Sequence, residues 1–545
     1  MIYIGNNEIS NIYIGTNEIY GIYAGDLQIY PTDFGIVTAI SLENLVWVTD
    51  VPYSGGTADS GNCSFSVIAH YDSGKRKNVT HDTTISGSLN VPASTVETRE
   101  MVGTLTLTAT YSGFTATGSV DVYQAASFEP SKEPLTFNIL SAGTINWTAY
   151  NSSIAKTIEY KLNNGEWTSI TSNTSSSAPT ITVNSGDKLQ FRGNNEQYAT
   201  GTSAYNSFGG STASFEAEGN AMSLIYGDDF KNKLTISSAY AFLGLFRDCT
   251  NLVSAENLIL PATTLANNCY QYMFNGCTSL TTAPELPATT LAWGCYQNMF
   301  KDCSSLSTAP ELPATTLKSY CYYGMLQGCS SLTTAPSLPA TTLANACYQY
   351  MFYYCSSLTT APKLPATTLA DYCYSHMLES CTSLTTAPAL PANTLANSCY
   401  SNMFYNCSSL TTAPELPATT LKVYCYSEMF KNCTSLITVP SNLLPATTLA
   451  QSCYRYMFQG CTSLKTAPEL PATTLATSCY YNMFYDCTSL NYIKCLATDI
   501  SATNCTSYWV SGVASTGTFV KNPNMASWTT GFSGIPTGWT VVNNS

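Results

Sequence analysis

Leu286-Pro287-Ala288-Thr289-Thr290-Leu291-Ala292-Trp293-Gly294-Cys295-Tyr296-Gln297-Asn298-Met299-Phe300-Lys301-Asp302-Cys303-Ser304-Ser305-Leu306-Ser307-Thr308-Ala309-Pro310-Glu311 is one copy of a unit that fills the second half of the chain. Its first cysteine recurs at Cys269, Cys295, Cys321, Cys347, Cys373, Cys399, Cys425, Cys453, Cys479 and Cys505. Each step is 26 residues, except one of 28 between Cys425 and Cys453, where Pro440-Ser441-Asn442-Leu443 adds two. A short unit at fixed period cannot bury its apolar face alone and must stack on its neighbours, so a solenoid is predicted.

Within a unit, Cys269, Tyr270, Met273, Phe274 and Cys277 span about 140° at 100° per residue, which predicts an amphipathic helix of about three turns. Leu280 and Leu286 bracket an extended segment where Pro284 and Pro287 exclude a helix. The predicted coil is strand, turn, helix, turn. On such a helix Cys269 and Cys277 stand ~12 Å apart, beyond the ~7 Å that a disulfide spans, and equivalent cysteines on stacked coils have parallel Cβ vectors. Buried free thiols are therefore expected. Zinc is disfavoured, because the Cys-x7-Cys spacing has no Cys-x2-Cys knuckle and the chain holds only 3 histidines.

The unit resembles the BspA-type leucine-rich repeats of bacterial surface proteins, through Met273-Phe274-x-x-Cys277 and the leucines of its strand. It departs from them by three extra residues, the Ala-Thr-Thr loop and a cysteine in place of the first helical aliphatic. The resemblance implies a leucine-rich-repeat fold and a binding role.

Outward from the repeat, the 545-residue chain is long enough for about three or four domains. Residues 1–34 hold Ile2-Tyr3-Ile4-Gly5, Ile12-Tyr13-Ile14-Gly15 and Ile22-Tyr23-Ala24-Gly25, short strands with glycine turns that cannot bury a core alone. They resemble the N-terminal docking segments of structural proteins of phages that infect gut Bacteroidetes, which makes Tyr3, Tyr13 and Tyr23 candidate docking residues. A small β-meander packed on the next domain is the alternative. Residues 35–126 alternate in short strands such as Leu105-Thr106-Leu107-Thr108-Ala109 and resemble a bacterial immunoglobulin-like β-sandwich acting as a spacer. Residues 127–230 predict a second sandwich, with an Asn163-Asn164-Gly165 hairpin turn. There Trp147 and Trp167 are expected in the core, with a sugar-stacking platform as the alternative. Residues 231–506 are the solenoid with its N-terminal cap, and residues 507–545, with Trp509, Phe519, Trp528 and Trp539, are a C-terminal cap. The expected fold class is multidomain: an all-β N-terminal half of Ig-like β-sandwiches, then an α/β leucine-rich-repeat solenoid.

Charged residues make up only 10% of the chain against 44% hydrophobic, so the surface is built from Ser, Thr, Asn, Gly and 38 Tyr. A net charge of −13 without a basic cluster opposes nucleic-acid binding; Lys75-Arg76-Lys77 reads as a solvated turn. No stretch reaches the ~18 apolar residues that cross a bilayer, so no membrane insertion is expected. Residues 1–30 carry no Lys or Arg, unlike a secretory leader. Either an export signal has been cut away, or the protein is assembled in a host cytoplasm and released by lysis, as virion proteins are.

Nucleophile elbows, phosphate loops and zinc-protease motifs are absent from the sequence, His70, His81 and His376 are scattered, and Asp228-Asp229 reads as a polar turn. No enzymatic activity and no cofactor are expected. Variation among the units concentrates in two pairs per coil, such as Gln271-Tyr272 and Asn275-Gly276, on the helix face opposite the core. Their Tyr, Asn, Ser, Gln and Gly resemble an antibody paratope; drift at exposed positions gives the same pattern, and the strand face is a rival surface. The candidate ligand-binding ridge is Tyr272, Gln297, Tyr323, Tyr350, Tyr353, Tyr354, Tyr405, Tyr456, Tyr481 and Tyr485. The expected function is a virion-attached, receptor-binding fibre protein. Its N-terminus would meet other virion proteins, its solenoid would bind a host-surface protein or glycan, and homo-oligomerisation is compatible. A bacterial surface adhesin and a virion decoration without a receptor are the alternatives.

Overall fold

The computed structural model describes residues 132–525 and 528–544, and before residue 132 chiefly the backbone of a set of strands. The chain divides into two units, Met1–Glu129 and Pro130–Ser545. In the first, two of the ten-residue units close as antiparallel hairpins, Ile2–Ile4 with Asn7–Ile9 and Ile12–Ile14 with Asn17–Ile19. Ile22–Tyr23 pairs in parallel with Asn62–Tyr71, which also pairs with Val37–Val48. Met101–Tyr111 lies between Thr84–Asn90 and Phe114–Tyr123. The side chains of Tyr3, Tyr13 and Tyr23 lie outside the described residues, as does the Lys75-Arg76-Lys77 turn's side-chain environment.

The second unit opens with a sheet ordered Thr168–Thr171, Thr157–Leu162, Lys188–Arg192, Leu135–Ile139, Phe215–Asn220. Alternation sets its faces: Leu135, Phe137 and Ile139 point inward. Asn163 takes a φ of 53° in the turn that joins Thr157–Leu162 to Thr168–Thr171. Trp147 is buried, its indole N–H donating to the Lys156 carbonyl at 2.8 Å. Phe215–Asn220 then pairs in parallel with Leu252–Ser254 and Leu258–Ile259, which belong to the first coil. Phe137 stacks on Phe215 at 4.4 Å and touches Phe246 of the solenoid at 5.8 Å, so sheet and solenoid share one apolar core.

The solenoid departs from the expected coil in one respect. The Cys-Tyr-x-x-Met-Phe-x-x-Cys segment is not a helix. Asn268, Tyr272 and Gly276 have φ of 57°, 56° and 75°, so every fourth residue is left-handed, which ends an α-helix before it can propagate. Between them the backbone N–H groups alternate. Gln271, Met273 and Asn275 donate to the carbonyl three residues back, closing turns. Tyr270, Tyr272, Phe274 and Gly276 donate to Cys295, Gln297, Met299 and Lys301 of the next coil at 2.8–3.0 Å. The cycle is four residues long, and its apolar pairs, Cys269-Tyr270 and Met273-Phe274, are fully buried. The extended side is equally spare: single parallel bridges such as Thr264 to Thr290 and Thr334 to Thr360 join the coils.

Stacking in register gives side-chain columns. Tyr270, Tyr296, Tyr322 and Tyr348 stack with centroids 5.7–5.8 Å apart. The second cysteine of each coil reaches backwards: the Cys303 thiol donates to Phe274 O at 3.1 Å and the Cys329 thiol to Phe300 O at 3.2 Å. All cysteines among the described residues are free and buried, although the helix assumed in the spacing argument does not form. The segment before the repeats is itself a coil, with Phe242 stacked on Tyr270 and Phe246 on Phe274. At the other end Trp509 covers Tyr480 at 6.0 Å, beneath a parallel sheet of Tyr492–Cys495, Thr518–Lys521 and Thr540–Asn543.

Candidate functional site

The variable pairs do form a ridge along the turn side of the solenoid, but the backbone accounts for much of their composition. Every second member of those pairs, from Tyr272 and Gly276 to Asn482 and Asp486, has φ between 51° and 75°. Gly, Asn and Asp are the residues that tolerate this conformation best. Neighbouring coils are coupled as well. A Cβ on Gly276, Gly328, Gly460 or Gly512 would collide with the carboxylate or amide of Asp248, Asp302, Asn432 or Asp486 one coil earlier. Asn298 imposes the same constraint on Gly324. The left-handed backbone and these close approaches thus favour Asx and Gly at such positions without any ligand. Nor is the ridge uniformly exposed: Gln271, Asn275, Ser375, Glu379 and Ser427 are buried between coils.

Tyrosine has no such local reason to be left-handed. Yet Tyr240, Tyr272, Tyr320, Tyr350, Tyr354, Tyr372, Tyr424, Tyr456 and Tyr508 all take φ between 53° and 60°. For a bulky residue this costs about 1–2 kcal/mol each.

The ridge tyrosines fall into two groups. In the first, a chain of ring contacts runs from Trp293 to Tyr320 (5.4 Å), Tyr323 (5.7 Å) and Tyr350 (5.5 Å). It continues to Tyr353 (5.5 Å) and Tyr354 (4.4 Å), while His376 stacks on Tyr350 at 4.5 Å. Tyr354 is 53% exposed and Trp293 45%, whereas Tyr323, Tyr350 and Tyr353 are half-buried. Beneath them the His376 Nδ1 is hydrogen-bonded to the buried Glu379 carboxylate. Desolvation, and then the Glu379 charge, hold the Tyr353 hydroxyl up at about 12 and raise that of Tyr350, so both remain hydrogen-bond donors at neutral pH.

The second group is cationic. Lys431 lies over Tyr405 at 5.2 Å and Tyr456 at 4.9 Å, and Arg455 over Tyr456 at 4.8 Å and Tyr481 at 5.1 Å. Of the remaining predicted residues, Tyr272 stands apart against Arg247 at 5.1 Å. Gln297 is half-buried beside Gly294, and Tyr485, also half-buried, joins neither group through a ring contact. Trp293, Tyr320 and Tyr372 lie outside the variable pairs, and His376, Lys431 and Arg455 belong to those pairs without being among the ten candidate ligand-binding residues. Tyr320 and Tyr372 occupy the left-handed position just before the first cysteine, and its Asn, Gly and Ser in other coils are the signal that marks it.

In the β-domain Trp147 is core, as expected, whereas Trp167, expected there too, is only half-buried, with Arg192 over its ring at 4.3 Å and Lys161 at 5.4 Å. Asp228 is engaged by Arg192 at 2.8 Å. Among the described residues no group of three or more His, Cys, Asp or Glu side chains could hold a metal ion, and no helix is long and apolar enough to cross a membrane.

Turn-side aromatics on a stack of identical coils define a leucine-rich-repeat solenoid with a side-chain ridge on its surface. Residues 229–359, 295–442 and 397–510 match the BspA type Leucine rich repeat region in six copies. Together these segments span just over half of the chain, which belongs to that family. No curated protein and no solved structure matches it.

Proposed function

We propose that the chain is an adhesin-type binding protein that presents its tyrosine ridge to a cell-surface receptor or glycan. The observation that carries this reading is the set of nine tyrosines held in left-handed backbone geometry on one side of the solenoid. Where Gly or Asn would relieve the strain, retention of an aromatic ring points to a use for that ring, and strain of this kind gathers at functional sites. Tyrosine supplies contact area at low entropy cost, and contact energy concentrates in Tyr, Trp and Arg. The role is binding rather than catalysis.

In its finer form the proposal places the protein on a virion, assembled in a host cytoplasm and joined to other virion proteins through the N-terminal hairpins. The repeated Ile-Tyr-Ile-Gly units support that placement. A bacterial cell-surface adhesin is the second reading, favoured by the BspA type repeats.

The test is Tyr350→Ser, Tyr353→Ser and Tyr354→Ser combined, assayed for attachment to host cells. Attachment should fall strongly, since hot-spot aromatics are worth ~2 kcal/mol or more. As a control, Phe352→Ala in the same coil should cost ~3 to 5 kcal/mol of stability, because Phe352 is fully buried. Undiminished attachment by the folded triple variant would reject the ridge as a receptor site and favour a decoration role.

A further inference from the structure

The cationic group on the ridge has an unspent charge. Among the described residues there are three arginines. Arg192 is paired with Glu159 and Asp228, both at 2.8 Å, and Arg247 has Asp248 at 3.8 Å. Arg455 makes no ion pair. Its Nε is buried without a partner, and its one side-chain hydrogen bond is a long one, from Nη2 to the Tyr456 hydroxyl at 3.4 Å. The Glu428 carboxylate enters its electrostatics but is already bonded to Lys431 Nζ at 2.9 Å. Lys431, Glu428 and Arg455 therefore leave one positive charge over, in a chain whose net charge is −13.

The guanidinium is also held in place. Tyr456 and Tyr481 flank it, and these two rings meet edge-on at 5.3 Å. A planar fork with fixed orientation and free donors matches a carboxylate, which it can bind in bidentate fashion. On the same two coils Gln459 Oε1 and Asn482 Oδ1 are acceptors buried without a partner, as are Asn298 Oδ1 and Gln297 Oε1 farther along the solenoid, so they do not distinguish this site. A ligand that suits the guanidinium and the rings beside it carries a carboxylate and a flat C–H face for the tyrosines.

We infer that Arg455, with Tyr456 and Tyr481, forms a recognition site for a carboxylate-bearing sugar residue of an acidic glycan. The inference rests on the ridge being a binding surface and adds the class of its ligand. An acidic peptide offers the carboxylate but not the pyranose face.

The experiment is titration of the full chain with an oligogalacturonate, its methyl-esterified counterpart and poly-glutamate, at low and at moderate salt. The expected result is binding of the oligogalacturonate that weakens with salt, is lost on esterification, and is about tenfold weaker in Arg455→Gln. Arg455→Lys should fall between, because it keeps the charge and loses the planar fork. Lys363→Gln, which removes an exposed lysine four coils away, should leave binding unchanged and controls for net charge. Equal binding of the esterified sugar, unchanged affinity in folded Arg455→Gln, or no binding of any probe would overturn the assignment. Tighter binding of poly-glutamate would replace the glycan with an acidic peptide. In each of these cases the ridge reading is judged separately, by the attachment assay of the Tyr350, Tyr353 and Tyr354 variant, which leaves Arg455 intact.

Discussion

The Cys303 thiol donates to the backbone carbonyl of Phe274 in the preceding coil, 3.1 Å away, and the same bond recurs between successive coils from Cys277 to Cys487. A thiol is a small apolar group with one weak donor, so the position accepts little else. Cys303→Ala should cost ~1 to 2 kcal/mol in equilibrium unfolding, from lost packing and a lost hydrogen bond. A cost near zero would show that the bond contributes nothing.

Thiol chemistry gives a second expectation. Burial pushes the thiols of Cys295, Cys347 and Cys355 up to about 12. A folded-state pKa raised above the unfolded value of ~8.5 gives stability that is fully present below pH ~8.5 and is lost as pH rises toward 12. The melting temperature should hold level from pH 6 to 8 and fall steeply above pH 9. Native thiols should resist an alkylating reagent at pH 8 and react after denaturation; rapid native labelling would contradict the buried columns.

Asp302 and Gly328 form a coupled pair across two coils, with Gly328 at φ 75° beneath the Asp302 side chain. Gly328→Ala should destabilise by ~1 to 2 kcal/mol, from the left-handed backbone and the collision together. Adding Asp302→Ala should restore part of that loss, giving a non-additive cycle. Strict additivity in urea unfolding would mean that the two coils do not constrain each other.

Tyr354 allows stability and binding to be separated. It is exposed, and its φ is 60°. Tyr354→Asn should raise stability by a few tenths of a kcal/mol, up to ~1, by relieving strain, less whatever the contact with Tyr353 contributes. The same variant should adhere more weakly. Greater stability with full adhesion would leave the strained tyrosine without a use.

How much of this was legible in the sequence depends on which bonds set each feature. The 26-residue step from Cys295 to Cys321 and the apolar pairs reveal the stacking, because burial acts on side-chain type. The sequence suggests a helix over residues 269–277 because apolar residues at Cys269, Tyr270, Met273, Phe274 and Cys277 suit a cycle of 3.6 or of four over so short a span. What separates the two is Asn268 and Gly276 at four-residue spacing from Tyr272, a backbone signal rather than an apolar one. Tyr350, Tyr353 and Tyr354 come together because their spacing puts them on one side of the coil. The Asn and Gly content of the ridge looks like binding or drift in the sequence because the close approach of Asp302 to Gly328 crosses 26 positions. Arg455 sits in a variable pair, but only the neighbouring side chains reveal that it has no carboxylate partner.

The backbone bonds from Tyr270, Tyr272, Phe274 and Gly276 to the next coil run along the long axis of the solenoid. A protein anchored at one end and attached at the other would be loaded along that axis, and each coil junction would carry the whole force on its own short row of bonds. Adding coils then adds length without adding tensile strength. When one junction yields, 26 residues pay out, about 90 Å of extended chain, while the remaining coils keep their register. Such a stalk would absorb a sudden pull by lengthening in discrete steps rather than by letting go of its target.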